Sequence, residues 1–246
     1  KEKEMKRFPF LTPLWKDAKI QSLALKTNLR QAGDVEFFQL LERVKMGKIE
    51  LADFATLSSR LIEKHPDVDR EQLIKLCPRR AKAEEINMNA IRKIPMESHF
   101  FKGDYVKYND KGQPIIQKAG EAEKKYDRYP ADMNLELKVG VEVLLCYNED
   151  VDRGLVNGAR GKVIRFDLPE GVEECAEAKR YPLVEFENGV QLLATPHSWE
   201  TKSQGILVES FVQVPLILRY AMTIHKAQGM TLGKILVHCD FFENGQ

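Results

Sequence analysis

Nine residues near the end of the chain, Thr223-Ile-His-Lys-Ala-Gln-Gly-Met-Thr231, gather two hydroxyls, an imidazole, an ammonium, an amide and a glycine. An apolar strand-like run precedes them, so the polar groups sit at the mouth of a helix that follows a strand. There a hydroxyl, an imidazole and an ammonium can donate into one small space, and phosphate oxygens suit such a cluster. Residues 210–239 contain no Asp or Glu yet include Arg219, Lys226 and Lys234, a locally basic stretch in a chain whose 38 Lys and Arg nearly balance 37 Asp and Glu. The same letters admit a plainer account, with Thr223 as an N-cap and His225 as a hydrogen-bonded packing residue.

Three further segments raise similar questions. CPRRAKAEEIN, residues 77–87, sets Arg79 and Arg80 at a helix N-terminus, where cations oppose the helix dipole and a bound anion relieves them. A solvated pair balanced by Glu84 and Glu85 one turn on fits equally well. LRQAGD, residues 29–34, places Arg30 between a strand-like LALKTN and a helix. It is either a salt-bridged surface residue or a guanidinium fork reaching phosphate held by a neighbouring domain. GLVNGARGK, residues 154–162, ends in Gly-Lys but is no phosphate-binding loop. Val156 stands where the first glycine belongs and Val163 where the magnesium-binding hydroxyl belongs, and no other segment has the required spacing.

Composition narrows the classes. Cys77, Cys146, Cys175 and Cys239 lie at long spacings with no CxxC and no paired histidines, which argues against a zinc site and a secreted disulfide framework. A reducing, intracellular compartment and no metal-ligating set are expected. The chain is 43% hydrophobic, with apolar runs too short to span a bilayer, so no membrane partner is expected. It opens on KEKEMKRF and closes on FFENGQ, and both ends read as cuts from something longer.

The polar clusters need elements to hold them. VEFFQLLERVKM, residues 35–46, spaces Phe37, Leu40, Leu41 and Val44 for a helix that stops at Gly47, and residues 50–63 repeat the pattern with Leu51, Phe54, Leu57 and Leu61. EQLIKLCP followed by RRAKAEEINMNAIRKI reads as a strand leading directly into a helix, with Ala83, Ile86 and Ala90 on one side. That is half of a βαβ unit and points to a parallel sheet. Residues 100–135 are polar and hold Gly103, Gly112, Gly120, Pro114 and Pro130, so they read as an irregular connection. From GVEVLLCYN, residues 140–148, the period becomes two; RGKVIRFD and YPLVEFENGVQLLA follow, with Asn188-Gly189 as a tight hairpin turn. ILVESFVQVPLILRYAM, TIHKAQGMT and KILVHCDFF then return to strand, helix, strand. The expected fold is α/β, a parallel-sheet domain interrupted by a small β-barrel of about five strands.

Four blocks, LKTNLRQAGDVEFFQLLERVKMG, LCPRRAKAEEIN, LELKVGVEVLLCYNEDVDRGLVNGARGKVIRF and LRYAMTIHKAQGMTLGKILV, occur in that order. Together they resemble the C-terminal half of the Pif-type DNA helicases, relatives of RecD in helicase superfamily one. The resemblance runs from about residue 8 to the end. It implies a second RecA-like motor domain interrupted by an SH3-like barrel. Residues 1–27 would be the tail of the first motor domain, 28–136 the first part of the second, 137–212 the barrel and 213–246 the motif-bearing end.

The resemblance also implies ATP-driven, magnesium-dependent 5′-to-3′ movement on single-stranded DNA. Duplex or structured DNA would be the substrate, in replication, repair, recombination or telomere maintenance, in nucleus or mitochondrion. Arg30 matches the family arginine that reaches the γ-phosphate. Thr223, His225 and Lys226 match the motif that touches the DNA backbone, and Gln228 and Gly229 match its nucleotide-facing end. Arg79 stands where a threonine is expected, turning a hydroxyl contact with phosphate into an ionic one. ATP and magnesium would be held mainly by the N-terminal RecA-like domain, the expected partner, and this chain alone is expected to hydrolyse no ATP. Two other accounts stand beside this one. A truncated or degenerate copy would only bind single-stranded DNA, and an interaction scaffold built on the barrel would show no salt-dependent DNA binding.

Overall fold

The computed structural model describes residues 8–23, 34–115, 129–175, 178–230 and 232–239, in two compact units, Lys1–His65 and Pro66–Gln246. The first unit is helical, with α1 (Pro13–Asp17), α2 (Val35–Lys45) and α3 (Leu51–Ser59). The Asp34 carboxylate caps α2 by accepting the Phe37 N–H at 3.0 Å. Gly47, at φ +66°, supplies the left-handed residue that lets the chain turn away after that helix. Arg43 on α2 donates through Nε (2.8 Å) and Nη2 (2.5 Å) to the Asp53 carboxylate on α3. Asp53 also accepts the Glu50 N–H at 3.0 Å, so this buried carboxylate caps its own helix while it ties the two helices together.

The second unit begins with β1 (Ile74–Cys77), α4 (Arg80–Arg92), β2 (His99–Lys102), β3 (Asp104–Tyr108), β4 (Pro114–Ile115), β5 (Asn134–Leu137) and β6 (Glu142–Leu145). It continues with β7 (Arg160–Asp167), β8 (Tyr181–Phe186), β9 (Gln191–Leu193), β10 (His197–Ser203), β11 (Ile206–Gln213) and β12 (Leu216–Leu218), and ends with β13 (Ala221–Thr223), α5 (Ile224–Ala227) and β14 (Ile235–Val237). The fold is mixed α/β. Strands β13, β1 and β14 form a three-stranded parallel sheet with β1 in the middle, as the strand-helix reading of residues 71–94 requires. The rest is antiparallel: β10-β11-β3-β4, β12-β6-β7-β8-β9 and the pair β2-β5.

Two expectations are corrected. Residues 100–135 do not form an irregular connection throughout: most of β2, all of β3 and β4 and the start of β5 fall within them. The strand signal there was hidden by glycine, and Gly103 has a physical reason of its own, since a Cβ at that position would lie 2.6 Å from the Phe211 ring. The expected barrel is likewise not what forms: among the described residues the five-stranded sheet is open, with β12 and β9 as its edges. β6 shows why. Val143 and Leu145 face one core, with Val141, Val163 and Val184, while Leu144 and Cys146 face a second, with Ile74, Met222 and Phe211. β12 does the same, with Leu216 and Leu218 in the first core and Ile217 in the second. A separate barrel turns one face of each strand to water, whereas these two strands are covered on both. The Asn188-Gly189 hairpin between β8 and β9 forms as expected, with Gly189 at φ +80°.

The Arg43 guanidinium, aided by the Glu50 N–H, holds the Asp53 carboxyl down at about 2, against an ordinary 3.8. A lowered carboxylate pKa contributes stability above the ordinary value, and the contribution is lost as pH falls through the folded value, here between 3.8 and about 2. Carboxyl titration by NMR is expected to place the Asp53 midpoint near 2 in the wild type and close to 3.8 in Arg43→Gln. A midpoint that Arg43→Gln leaves in place contradicts the assignment.

Candidate nucleic-acid interface

β1 and β13 run in parallel with Cys77 opposite Thr223. Segments leaving the C-terminal ends of neighbouring parallel strands gather at one edge of the sheet, the usual place for a ligand in α/β folds. Pro78–Arg80 and Thr223–Gln228 therefore emerge side by side although the sequence separates them widely. β13 is an edge strand, and its outer side is closed by one side chain. Asn87 on α4 donates Nδ2–H to the Ala221 carbonyl and accepts the Ala221 N–H through Oδ1, both at 2.8 Å. One amide thus imitates a neighbouring strand and fixes where the polar strip begins.

After β13 the chain turns directly into α5, a single helical turn. Thr223 caps it, its Oγ1 accepting the Lys226 N–H at 3.2 Å. Gly229 at φ +86° ends the turn and lets Met230 return to the core. Thr223, His225, Lys226 and Gln228 all open on one cleft of about 1100 Å³. Arg80, Glu84, Asn87 and Met88 of α4 form a second wall. Phe100 and Lys102 of β2 and the segment running into β5 form the third. Ile217, Leu218 and Met222 contribute apolar surface, so the cleft joins polar walls to an apolar lining.

That third wall follows an alternation the sequence concealed. Tyr129, Ala131, Met133, Leu135 and Leu137 are buried while Pro130, Asp132, Asn134 and Glu136 between them are more exposed, and residues of both sets line the cleft. Buried Gln213 anchors its backbone, with Nε2 donating to the carbonyls of Asp132 (2.8 Å), Met133 (3.1 Å) and Phe101 (3.1 Å). Asp132 is thereby placed so that its Oδ1 accepts Lys226 Nζ at 2.6 Å. Cys146 lies near this pair; burial pushes its thiol up to about 12, so it stays neutral.

The residues singled out from sequence divide as follows. Thr223, His225, Lys226 and Gln228 share the cleft. Gly229 is exposed just beyond them. Arg79 is the exposed residue that precedes α4, and it is Arg80 that lines the cleft, its Nε held by Glu84 Oε1 at 2.6 Å. Arg30 lies outside the described residues. The locally basic stretch finds its counter-charges in distant sequence: Asp132 reaches Lys226 and Glu142 pairs with Arg219. Asp132 and Asn87 were missed, and the alternation over 129–137 is the signal that could have found the first. Two large aromatic side chains of the antiparallel part are taken up by packing: Phe166 is buried against His99 and Phe101. Trp199 packs on Phe211. Among the described residues no cluster of three or more His, Cys, Asp or Glu side chains is placed to hold a metal ion.

Comparison with known proteins bears directly on this cleft. Residues 128–166, which include the segment of the third wall that runs into β5, match the family described as DNA helicase Pif1, 2B domain. The ATP-dependent DNA helicase PIF1 of Xenopus laevis is 32% identical over 224 residues, covering 89% of this chain and 32% of that protein. The human protein of the same name is 32% identical over 228 residues, covering 92% and 32%. The crystal structure of the Pif1 helicase from Candida albicans superposes with a TM-score of 0.58 at 26% identity, over 94% of this chain and 53% of that one. Bacteroides Pif1 crystallised with ADP-AlF4 shares the fold at a TM-score of 0.66 and 23% identity, over 98% and 52%. The chain is thus homologous to Pif1-type DNA helicases along most of its own length, and spans about a third of the length of the curated relatives it matches.

Removing the Asn87 side chain leaves both polar groups of a buried edge residue unpaired, at a cost of about 1–3 kcal/mol for each. Asn87→Leu is therefore expected to lower the urea midpoint strongly, and Asn87→Asp, which keeps an acceptor for the Ala221 N–H, to lower it less. Equal midpoints for the two variants would show that the clamp does not hold β13.

Proposed function

We propose that this chain is the DNA-gripping part of a Pif1-type, ATP-dependent 5′-to-3′ DNA helicase, and that the cleft beside Thr223, His225 and Lys226 receives single-stranded DNA. The observation that carries the reading is the parallel register of β1 with β13. It sets a hydroxyl, an imidazole and an ammonium beside the start of α4, on a cleft with an apolar lining. Donors of that kind suit phosphate oxygens, and the apolar surface suits bases turned away from them. Thr223 acts twice in this reading, capping α5 and presenting its hydroxyl to the backbone of the DNA.

Gln228 and Gly229 carry the same strip towards the nucleotide. Arg30, by its match to the family arginine, is assigned to the γ-phosphate, and Arg79 offers a cation to the DNA beyond the cleft. The parallel sheet belongs to the second RecA-like motor domain, and the open five-stranded sheet is the counterpart of its SH3-like insertion. ATP and magnesium are held mainly by an N-terminal RecA-like domain, a reading supported by the lack of phosphate-loop spacing in any segment of this sequence. The N-terminal RecA-like domain of the relatives is the partner that supplies them. One short strip then faces both the nucleotide and the track, and a change at one end can alter the grip at the other.

Binding of the chain to an oligothymidylate, followed by fluorescence anisotropy over a salt series, is expected to weaken as salt rises. Lys226→Gln is expected to raise Kd about threefold or more and to lower the salt slope by about 0.7, the value for one phosphate contact to a single strand. Affinity and slope both unchanged by Lys226→Gln remove Lys226 from the interface. The purified chain is expected to show no magnesium-dependent ATP turnover; turnover above background contradicts the placement of the ATP site.

A further inference from the structure

We propose that Asp132 is a positioning residue for DNA capture: its carboxylate stands in for a phosphate, holding Lys226 extended in the cleft until the DNA backbone takes its place. The pair is 2.6 Å apart, with the Lys226 side chain 21% and the Asp132 side chain 36% exposed, so an incoming anion can reach both partners. An ion pair that keeps contact with solvent adds little to folding stability. The protein nonetheless fixes this carboxylate through its backbone: buried Ala131 and Met133 flank it, and buried Gln213 donates to the Asp132 carbonyl at 2.8 Å. Rigid support on one side and an accessible ammonium on the other mark a contact made to be exchanged rather than one that holds the fold.

Exchange has two consequences. Lys226 Nζ is already held at the cleft, so it loses less rotamer freedom when it meets a phosphate, an effect smaller than the one that follows. After the exchange Asp132 faces the DNA with its charge uncompensated, which makes capture weaker and release easier. A motor that must let go of its track benefits from a second acceptor for the same lysine. The inference rests on the reading of Lys226 as a DNA contact, and the experiment separates the two.

In the full chain, oligothymidylate affinity and its salt dependence are measured for wild type, Asp132→Asn, Lys226→Gln and the double variant, with urea midpoints to confirm folding. Asp132→Ser serves as a second uncharged variant. Asp132→Asn is expected to tighten binding about fivefold and to steepen the salt slope, because no cation need then be taken up by a stranded carboxylate. In the Lys226→Gln background the same change is expected to alter Kd less than about twofold, since the coupling runs through the lysine. Equal tightening in both backgrounds means that Asp132 only repels DNA in general, and overturns the proposal. So does unchanged or weaker binding in Asp132→Asn and Asp132→Ser while Lys226→Gln still weakens it. If Lys226→Gln changes nothing, the reading of Lys226 falls, and the exchange falls with it.

Discussion

The parallel pairing of β1 with β13 is the constraint on which the site depends. Three register pairs, from Lys75 opposite Ala221 to Cys77 opposite Thr223, join segments at opposite ends of the second unit. Closing so long a loop costs entropy that a three-residue strand cannot recover from its ladder alone. The balance comes from what surrounds the pair. Ile74, Leu76, Met222 and Met230 share a core, Asn87 closes the outer edge of β13, and the Tyr220 carbonyl accepts the Lys75 N–H. With that register set, the two strand-to-helix turns must lie side by side, and the donors of both meet one space.

The antiparallel part is built onto the same frame rather than appended to it. β6 and β12 bury both faces and so belong to two cores at once. Arg219, between β12 and β13 and almost fully buried, pairs with Glu142 on β6 and donates to the Gln72 carbonyl just before β1. Desolvation, followed by the charge of this guanidinium, lowers the pKa of nearby Lys75. One side chain therefore ties β6 of the five-stranded sheet to the segment that leads into β1, the middle strand of the parallel sheet.

Much of this was legible locally. The spacing of Phe37, Leu40, Leu41 and Val44, the stop at Gly47, the strand-helix step at Cys77–Arg80 and the Asn188-Gly189 turn are short-range patterns, and each formed where the residues place it. What stayed hidden is long-range. Asp132 lies 94 residues from Lys226, so no window around TIHKAQGMT could show that its ammonium is already paired. The alternation of residues 129–137 was masked because the more exposed positions between its buried residues begin with a proline. The barrel expectation failed for a related reason: a run such as VEVLLC fits a strand with one wet face or with none, and only tertiary contacts decide.

The central claim is that one cleft, bounded by the strip after β13, the start of α4 and the wall before β5, receives single-stranded DNA. Amide hydrogen exchange of the chain with and without a saturating oligothymidylate tests it most directly. The account predicts added protection together at residues 221–230, at the first turn of α4 and at 129–137, with little change in β7 and β8. Protection confined to β7–β9, or absent from 221–230 while DNA is bound, would contradict it.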